Sequence, residues 1–269
     1  MDAQNKSLLD RLRKDRELVV EVQLANEVAA IPNVTEIELW HGVFQSAAAF
    51  LPIMTIRSLE RLELGWFEVA GSPSLTNDVL LNLQRLKNLR ELRLDRAYQV
   101  DDSGAKHIAA VRSLRELTLE DTKVTDVGVE HLSQLPQLEL LSLEFSFRIK
   151  GPGLMALSAL RSLKWLSLQY CSDLEDAAVD AIAGMPQLET ILLNGCPKLS
   201  WESVRKLARL PRLRDIALAL PFGRESESGM PEFGEFVKDC PSLRYIRNFP
   251  DAVTPTEQEQ IVGLLETRR

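Results

Sequence analysis

One hydrophobic pattern recurs along most of this chain: an apolar residue, two variable positions, a second apolar residue, one variable position and a third apolar residue. It reads Leu59/Leu62/Leu64, Leu89/Leu92/Leu94, Leu114/Leu117/Leu119, Leu138/Leu141/Leu143, Leu163/Leu166/Leu168 and Leu188/Ile191/Leu193. Val34/Ile37/Leu39 and Leu213/Ile216/Leu218 follow the same rule, and Leu243/Ile246 is a decaying last copy. From one first anchor to the next the spacings are 25, 30, 25, 24, 25, 25, 25 and 30 residues. Unrelated strands would not keep such a period, so the chain is read as a repeat array.

Each unit has two halves with different periods. The first alternates, as in Leu114-Arg115-Glu116-Leu117-Thr118-Leu119, which predicts a short strand with one apolar face. The second, from Val124 to Leu132, places Thr125 or Asp126 as N-cap ahead of apolar residues at helical spacing. Proline recurs at the helix end as Pro136, Pro186, Pro211 and Pro241, where it biases the preceding residue toward extended geometry. Stacked units give a parallel sheet on one side and wider helices on the other, so the stack curves.

These residues resemble the leucine-rich repeat family, and in particular its cysteine-containing, ribonuclease-inhibitor-like subclass. The segments Leu163-x-x-Leu166-x-Leu168-x-x-Cys171-x-x-Leu174-Glu175-Asp176 and Leu188-x-x-Ile191-x-Leu193-x-x-Cys196-x-x-Leu199 carry the cysteine. Other units put Ala97, Thr122 and Ser146 there, small residues suited to a tight inner turn. The resemblance covers about residues 34 to 249 and implies an α/β horseshoe solenoid with the sheet concave and the helices convex. It implies little about function, because the fold presents a surface that different members use differently.

The domain reading is an N-terminal cap over 1–33, about nine repeats of 24–30 residues over 34–249, and a C-terminal capping helix over 250–269. A helix around Ser7 to Arg16 and the alternating Val20-Glu21-Val22-Gln23-Leu24 are expected to hide the first sheet edge. At the other end, Thr254 begins a helix through Leu265, with Ile261, Leu264 and Leu265 available for burial. The two long units carry insertions over 65–74 and 221–230, expected on the rim where strands leave the concave face. No F-box-like segment precedes the repeats.

Composition narrows the partner. The chain has 269 residues, 26% charged, with a formal net charge of -7, which argues against a nucleic-acid backbone and toward a basic protein. No apolar run is long enough for a membrane helix, no secretory signal opens the chain, and three cysteines do not make a disulfide framework. A cytoplasmic monomer is the expectation.

Strand alternation lists the side chains facing out of the horseshoe. One column reads Glu36, Arg61, Glu91, Glu116, Leu140, Trp165, Thr190, Asp215 and Tyr245. The next reads Glu38, Glu63, Arg93, Thr118, Ser142, Ser167, Leu192, Ala217 and Arg247. The third reads Trp40, Gly65, Asp95, Glu120, Glu144, Gln169, Asn194 and Ala219. Asp95, Glu120 and Glu144 thus form a ladder of like charge, with Asp121 beside it, which costs sheet stability unless Arg61, Arg93 and Arg96 offset it. The candidate partner-binding residues are Glu91, Asp95, Glu116, Glu120, Asp121 and Glu144, with the aromatic anchors Trp66, Phe145, Trp165, Tyr170 and Tyr245.

Catalytic constellations are missing. There is no Gly-rich phosphate loop and no G-x-S-x-G elbow. His107 and His131 occupy equivalent helical positions in adjacent units, too few ligands for zinc, and Cys171 and Cys196 are expected as a buried thiol stack. No cofactor, metal or small-molecule substrate is implied. The leading reading is a non-enzymatic module that holds a basic protein on its concave face, as an inhibitor or immunity-type protein. The alternatives are an adaptor or substrate-recruiting subunit, ubiquitin-ligase-like or effector, docking through convex helices or insertions, and a ligand or cation sensor.

Overall fold

A computed structural model describes residues 5–6, 8–10, 19–39, 42–44, 46–65, 67–69, 75–219, 231–251 and 253–268. The alternating halves of the repeats build a nine-stranded parallel sheet. Its strands are β2 (Glu36–Leu39), β4 (Arg61–Gly65), β6 (Glu91–Asp95), β7 (Glu116–Leu119), β8 (Leu140–Ser142), β9 (Trp165–Ser167), β10 (Thr190–Leu192), β11 (Asp215–Ala217) and β12 (Tyr245–Ile246), in chain order across the sheet. The register follows the repeat: Glu91 stands opposite Arg61 and Glu116, and Trp165 opposite Leu140 and Thr190. Inward residues such as Leu92, Leu94, Leu117, Leu119, Leu141, Leu143, Leu166 and Leu168 are fully buried. Each such leucine contributes about 2 kcal/mol of burial, and the partner side chains come from the next repeat.

The helical halves differ in detail. Asp102–Ile108, Asp126–Leu132 and Asp176–Ala183 are α-helices, whereas Pro152–Ala159 is a 3-10 run. Thr125 caps its helix as expected, its hydroxyl accepting the Val127 N–H at 3.2 Å. The aspartate that follows a cap also reaches the next repeat. The Asp126 carboxylate accepts the N–H groups of Lys150, Gly151 and Gly153 at 3.1, 2.9 and 3.0 Å. Asp102 does the same for Thr125, and Asp176 for Ser200. Neighbouring repeats are therefore joined on this side by charge-assisted hydrogen bonds as well as by packing. Gly153 is required there, because a Cβ would stand 2.2 Å from the Asp126 carbonyl oxygen.

One expectation changes. Val20–Leu24 is not a strand: β1 is only Val19–Val20, and Val22–Ala29 is an α-helix that buries Leu24, Ala25 and Val28. The helical spacing of those three outweighs a short alternation, and Val22 is left exposed. The first insertion adds a strand of its own. Its residues Phe67–Val69 form β5, which pairs with β3 (Gly42–Phe44), and β3 pairs with β1, making a second small parallel sheet beside the first repeats. Residues 5–6 and 8–10 are helical, but the rest of the stretch through Arg16, the insertion over 221–230, Trp40, His41 and Trp66 lie outside the described residues.

At the C-terminus, helix Pro255–Glu266 follows N-cap Thr254, whose hydroxyl and backbone N–H both engage Glu257. It buries Ile261 and Leu265 against the same continuous core as the repeats.

Candidate functional site

The outward columns of the sheet carry two different kinds of structure. Across β2 to β7 the acids are organised around arginines. Arg61 lies between Glu36 and Glu91, at 3.2 and 3.3 Å, and also pairs with Glu63 in its own strand. Arg93 reaches Asp95 at 3.0 Å and Glu120, just past the end of the next strand, at 3.1 Å. The expected repulsion in the ladder is thus relieved by guanidinium groups placed between the carboxylates.

Relief is incomplete. Asp95 is only 7% exposed, and its carboxyl is pushed above the usual range by burial, against the opposing pull of Arg93. Burial raises Glu120 as well, with Asp95 and Glu144 adding repulsion, and burial raises Glu91 despite Arg61. Asp121, beside the ladder, is also raised by burial while Arg96 pulls the other way. Glu116 is exposed.

From Glu144 onward the column becomes a neutral hydrogen-bond row. Glu144 accepts from the Ser167 hydroxyl at 2.7 Å and from the Gln169 amide at 2.9 Å. Asn194, buried, donates to Gln169 at 2.5 Å and accepts the Ala219 N–H at 2.7 Å. Ser142, between Thr118 and Ser167 in register, is buried, and its hydroxyl has no hydrogen-bond partner among the described residues.

Along the rim, the residue after each outward column turns left-handed. Arg96, Asp121, Phe145, Tyr170 and Gly195 have φ between 53° and 70°. Such a conformation is costly for a bulky side chain, and here it swings two aromatic rings onto one edge. Phe145 and Tyr170 stack with centroids 4.6 Å apart and planes within 10°, while Phe147 meets Phe145 edge-on at 6.4 Å. Phe145 is 37% and Tyr170 45% exposed, so the stack faces solvent. Tyr170 lies on Gly195, where a Cβ would come within 2.5 Å of the ring.

Trp165 faces outward but is not bare. The Arg247 guanidinium lies 4.8 Å from its ring centroid and is bonded to Asp215. Tyr245, opposite Asp215, is exposed. The columns of the sequence therefore bring Glu91, Asp95, Glu116, Glu120, Asp121 and Glu144 onto one stretch of face and rim, Phe145 and Tyr170 beside them, and Trp165 and Tyr245 farther along. The offset of the acids by Arg61 and Arg93 was expected, and Arg61 stands opposite Glu36 and Glu91 in one column. Two features were missed: the amide row through Gln169 and Asn194, and the Arg247–Trp165 contact.

Reactive chemistry is muted. Cys171 and Cys196 are buried free thiols that donate to the Leu143 and Leu168 carbonyls at 3.2 and 3.1 Å. Burial pushes the Cys171 thiol far up and Cys196 up to about 12, so neither is a thiolate at neutral pH. Among the described residues no group of three or more His, Cys, Asp or Glu is placed to hold a metal ion, and no helix is long and apolar enough to cross a membrane.

No family model matches the chain. In fold it is similar to an internalin (inlF) from Listeria monocytogenes, with TM-score 0.58 and 14% identity over 87% of this chain and 58% of that one. The chain thus spans little more than half of that protein. It is also similar to the structure of the Rad7 and Elc1 complex in yeast, with TM-score 0.57 and 20% identity over 88% of this chain and 69% of the other. An internalin C2 (inlC2) from Listeria monocytogenes aligns with TM-score 0.52 and 19% identity over 85% of this chain and 84% of its own. The architecture shared with these internalins is the leucine-rich-repeat horseshoe, and that is the fold of this chain.

Proposed function

We propose that the chain is a non-catalytic interaction module that holds a basic protein on its concave face, acids first and rim aromatics next. The observation that carries this reading is the excess of carboxylates on one face beside an exposed aromatic stack. Over β2 to β8, Arg61 and Arg93 stand among Glu36, Glu38, Glu63, Glu91, Glu116, Asp95, Glu120 and Glu144. Carboxylates already raised by burial and mutual repulsion gain most from an added cation. Phe145 and Tyr170 supply large, rigid contact area at the edge of that field. One fold neighbour comes from the structure of a complex, that of Rad7 and Elc1 in yeast, which is in keeping with a binding role. The cysteines of adjacent repeats favour the ribonuclease-inhibitor-like subclass, and inhibition by occlusion is the outcome we favour over recruitment to a larger machine. In this reading residues 1–33 and 250–269 are caps, and the protein works as a cytoplasmic monomer.

The test is capture of partners from the native lysate at low and moderate salt, followed by direct binding with the identified partner. Wild type is compared with Glu120→Lys/Glu144→Lys and with Tyr170→Ala, each checked for folding by circular dichroism. A basic protein bound by wild type, released by salt and lost in the charge reversal supports the proposal. Equal binding by all three moves docking to the convex side, where Glu202, Arg205, Lys206, Arg209 and Asp239 line a groove, and makes the adaptor reading the better one.

A further inference from the structure

Trp165, Thr190, Asp215 and Tyr245 form one outward column across β9 to β12. Arg247 follows β12 and belongs to the adjacent column, which continues through Ala217 and Leu192. Its guanidinium nevertheless reaches Trp165 on β9, three strands away in the sheet order. On the way Nε and Nη2 both donate to Oδ2 of Asp215, at 2.8 and 2.6 Å. Ala217 and Leu192, the preceding members of its own column, are buried. A flat aromatic face and a carboxylate edge, held on a rigid sheet, suit a guanidinium better than an ammonium, because only the guanidinium stacks and donates in a planar fork.

We infer that Trp165 and Asp215 form an acceptor for an arginine side chain, filled from within by Arg247 and taken over by an arginine of the partner on binding. The inference rests on the proposed use of the concave face by a basic protein and names the group this end of the face recognises. Two observations carry it beyond a surface ion pair. Arg247 uses one oxygen of Asp215, while Oδ1 is buried with no hydrogen-bond partner among the described residues. A guanidinium that replaces Arg247 takes over Oδ2 with the same two-donor fork. The resident side chain is also open to exchange: the backbone of Arg247 is fixed by its N–H bond to Ile216, but its side chain is 45% exposed. Exchange of one guanidinium for another keeps the aromatic face covered and the carboxylate paired, so the acceptor is preformed.

The experiment uses the full chain and Arg247→Ala, with hexa-arginine and hexa-lysine peptides as probes at low salt and tryptophan emission as the readout. Arg247→Ala/Trp165→Phe provides the blank for Trp40, Trp66 and Trp201. The expected result is an emission change in Arg247→Ala with hexa-arginine at about fivefold lower peptide concentration than in wild type, weaker with hexa-lysine, and absent from the blank. Arg247→Lys keeps the ion pair and gives up the stack, so it falls between the two and serves if the alanine variant folds poorly. If Arg247→Ala and Arg247→Lys respond no better than wild type, or respond equally to both peptides, the acceptor is refuted. Partner capture that depends on Glu120 and Glu144 would survive that failure, and its loss would leave the peptide result untouched, so the two ideas fail separately.

Discussion

Across β4 to β7 the outward columns are held by charge, whereas the column from Glu144 through Gln169 to Asn194 continues as hydroxyl and amide hydrogen bonds. Arg93 between Asp95 and Glu120 occupies the role that Gln169 plays between Glu144 and Asn194. The two solutions cost differently. A half-buried carboxylate must be desolvated whether or not an arginine meets it, and burial still raises Asp95 and Glu120. An amide row carries no such penalty, so Asn194 is buried with both ends of its side chain bonded. Under the proposed function, the charged half would steer a basic partner by its long-range field, and the half with the aromatics would offer the contacts that slow release.

The largest effect is expected from Arg93→Met. It removes the cation shared by Asp95 and Glu120 and leaves a nearly buried carboxylate unpaired, at about 3 kcal/mol. Urea unfolding at neutral pH measures it, and the loss should shrink on acidification as the two acids take up protons. A cost below about 1 kcal/mol would mean that the charged half is held by its leucines alone.

Asn194→Ala should follow at about 2 kcal/mol, since the Ala219 N–H and the Gln169 carbonyl oxygen lose their partners together. Its cost should be the same at neutral and mildly acidic pH. A pH-dependent loss would show that Glu144, one bond away along the row, governs this half too.

How much of this was legible follows from the length scale of each feature. Leu117 and Leu119 announce an inward strand face by alternation, and the period of 24 to 30 residues fixes which strands are neighbours, so Glu91 and Glu116 could be set side by side from sequence. The column lists therefore gave the surroundings of the acid ladder. They did not give Arg247 over Trp165, because a long side chain crosses columns and its direction depends on the curvature of the sheet. Nor did they foresee the helix at Val22–Ala29, where three residues of alternation competed with a helical apolar face outside the repeat. The stacked rim rings at Phe145 and Tyr170 depend on a left-handed turn that aromatic residues give no reason to expect.

A third, smaller effect is a stability profile that rises on mild acidification. Glu91, Asp95 and Glu120 have folded-state pKa values raised above their ordinary values of 4.5, 3.8 and 4.5. The folded state therefore binds more protons than the unfolded state between the ordinary and the raised values. The stabilisation is complete below the ordinary carboxylate range and is lost as pH rises through the raised values. Urea midpoints taken from neutral to mildly acidic pH should increase, and Glu120→Gln should flatten the rise. A midpoint that falls over that interval would mean that paired surface acids elsewhere dominate.

The smallest stability effect is expected at the rim. Tyr170→Gly removes a stacking partner of Phe145, a loss of about 1 kcal/mol, and at φ 60° it relieves a left-handed conformation that costs a tyrosine about as much. The two nearly cancel, so the unfolding free energy should move by less than about 0.5 kcal/mol while binding of a concave-face partner weakens. Gly195→Ala sharpens the point. Its φ of 70° and a Cβ 2.5 Å from the Tyr170 ring cost stability in the wild type, but in the Tyr170→Gly background only the backbone part remains. If Gly195→Ala costs the same in both backgrounds, Tyr170 does not rest on that glycine, and the stack is held by Phe145 alone.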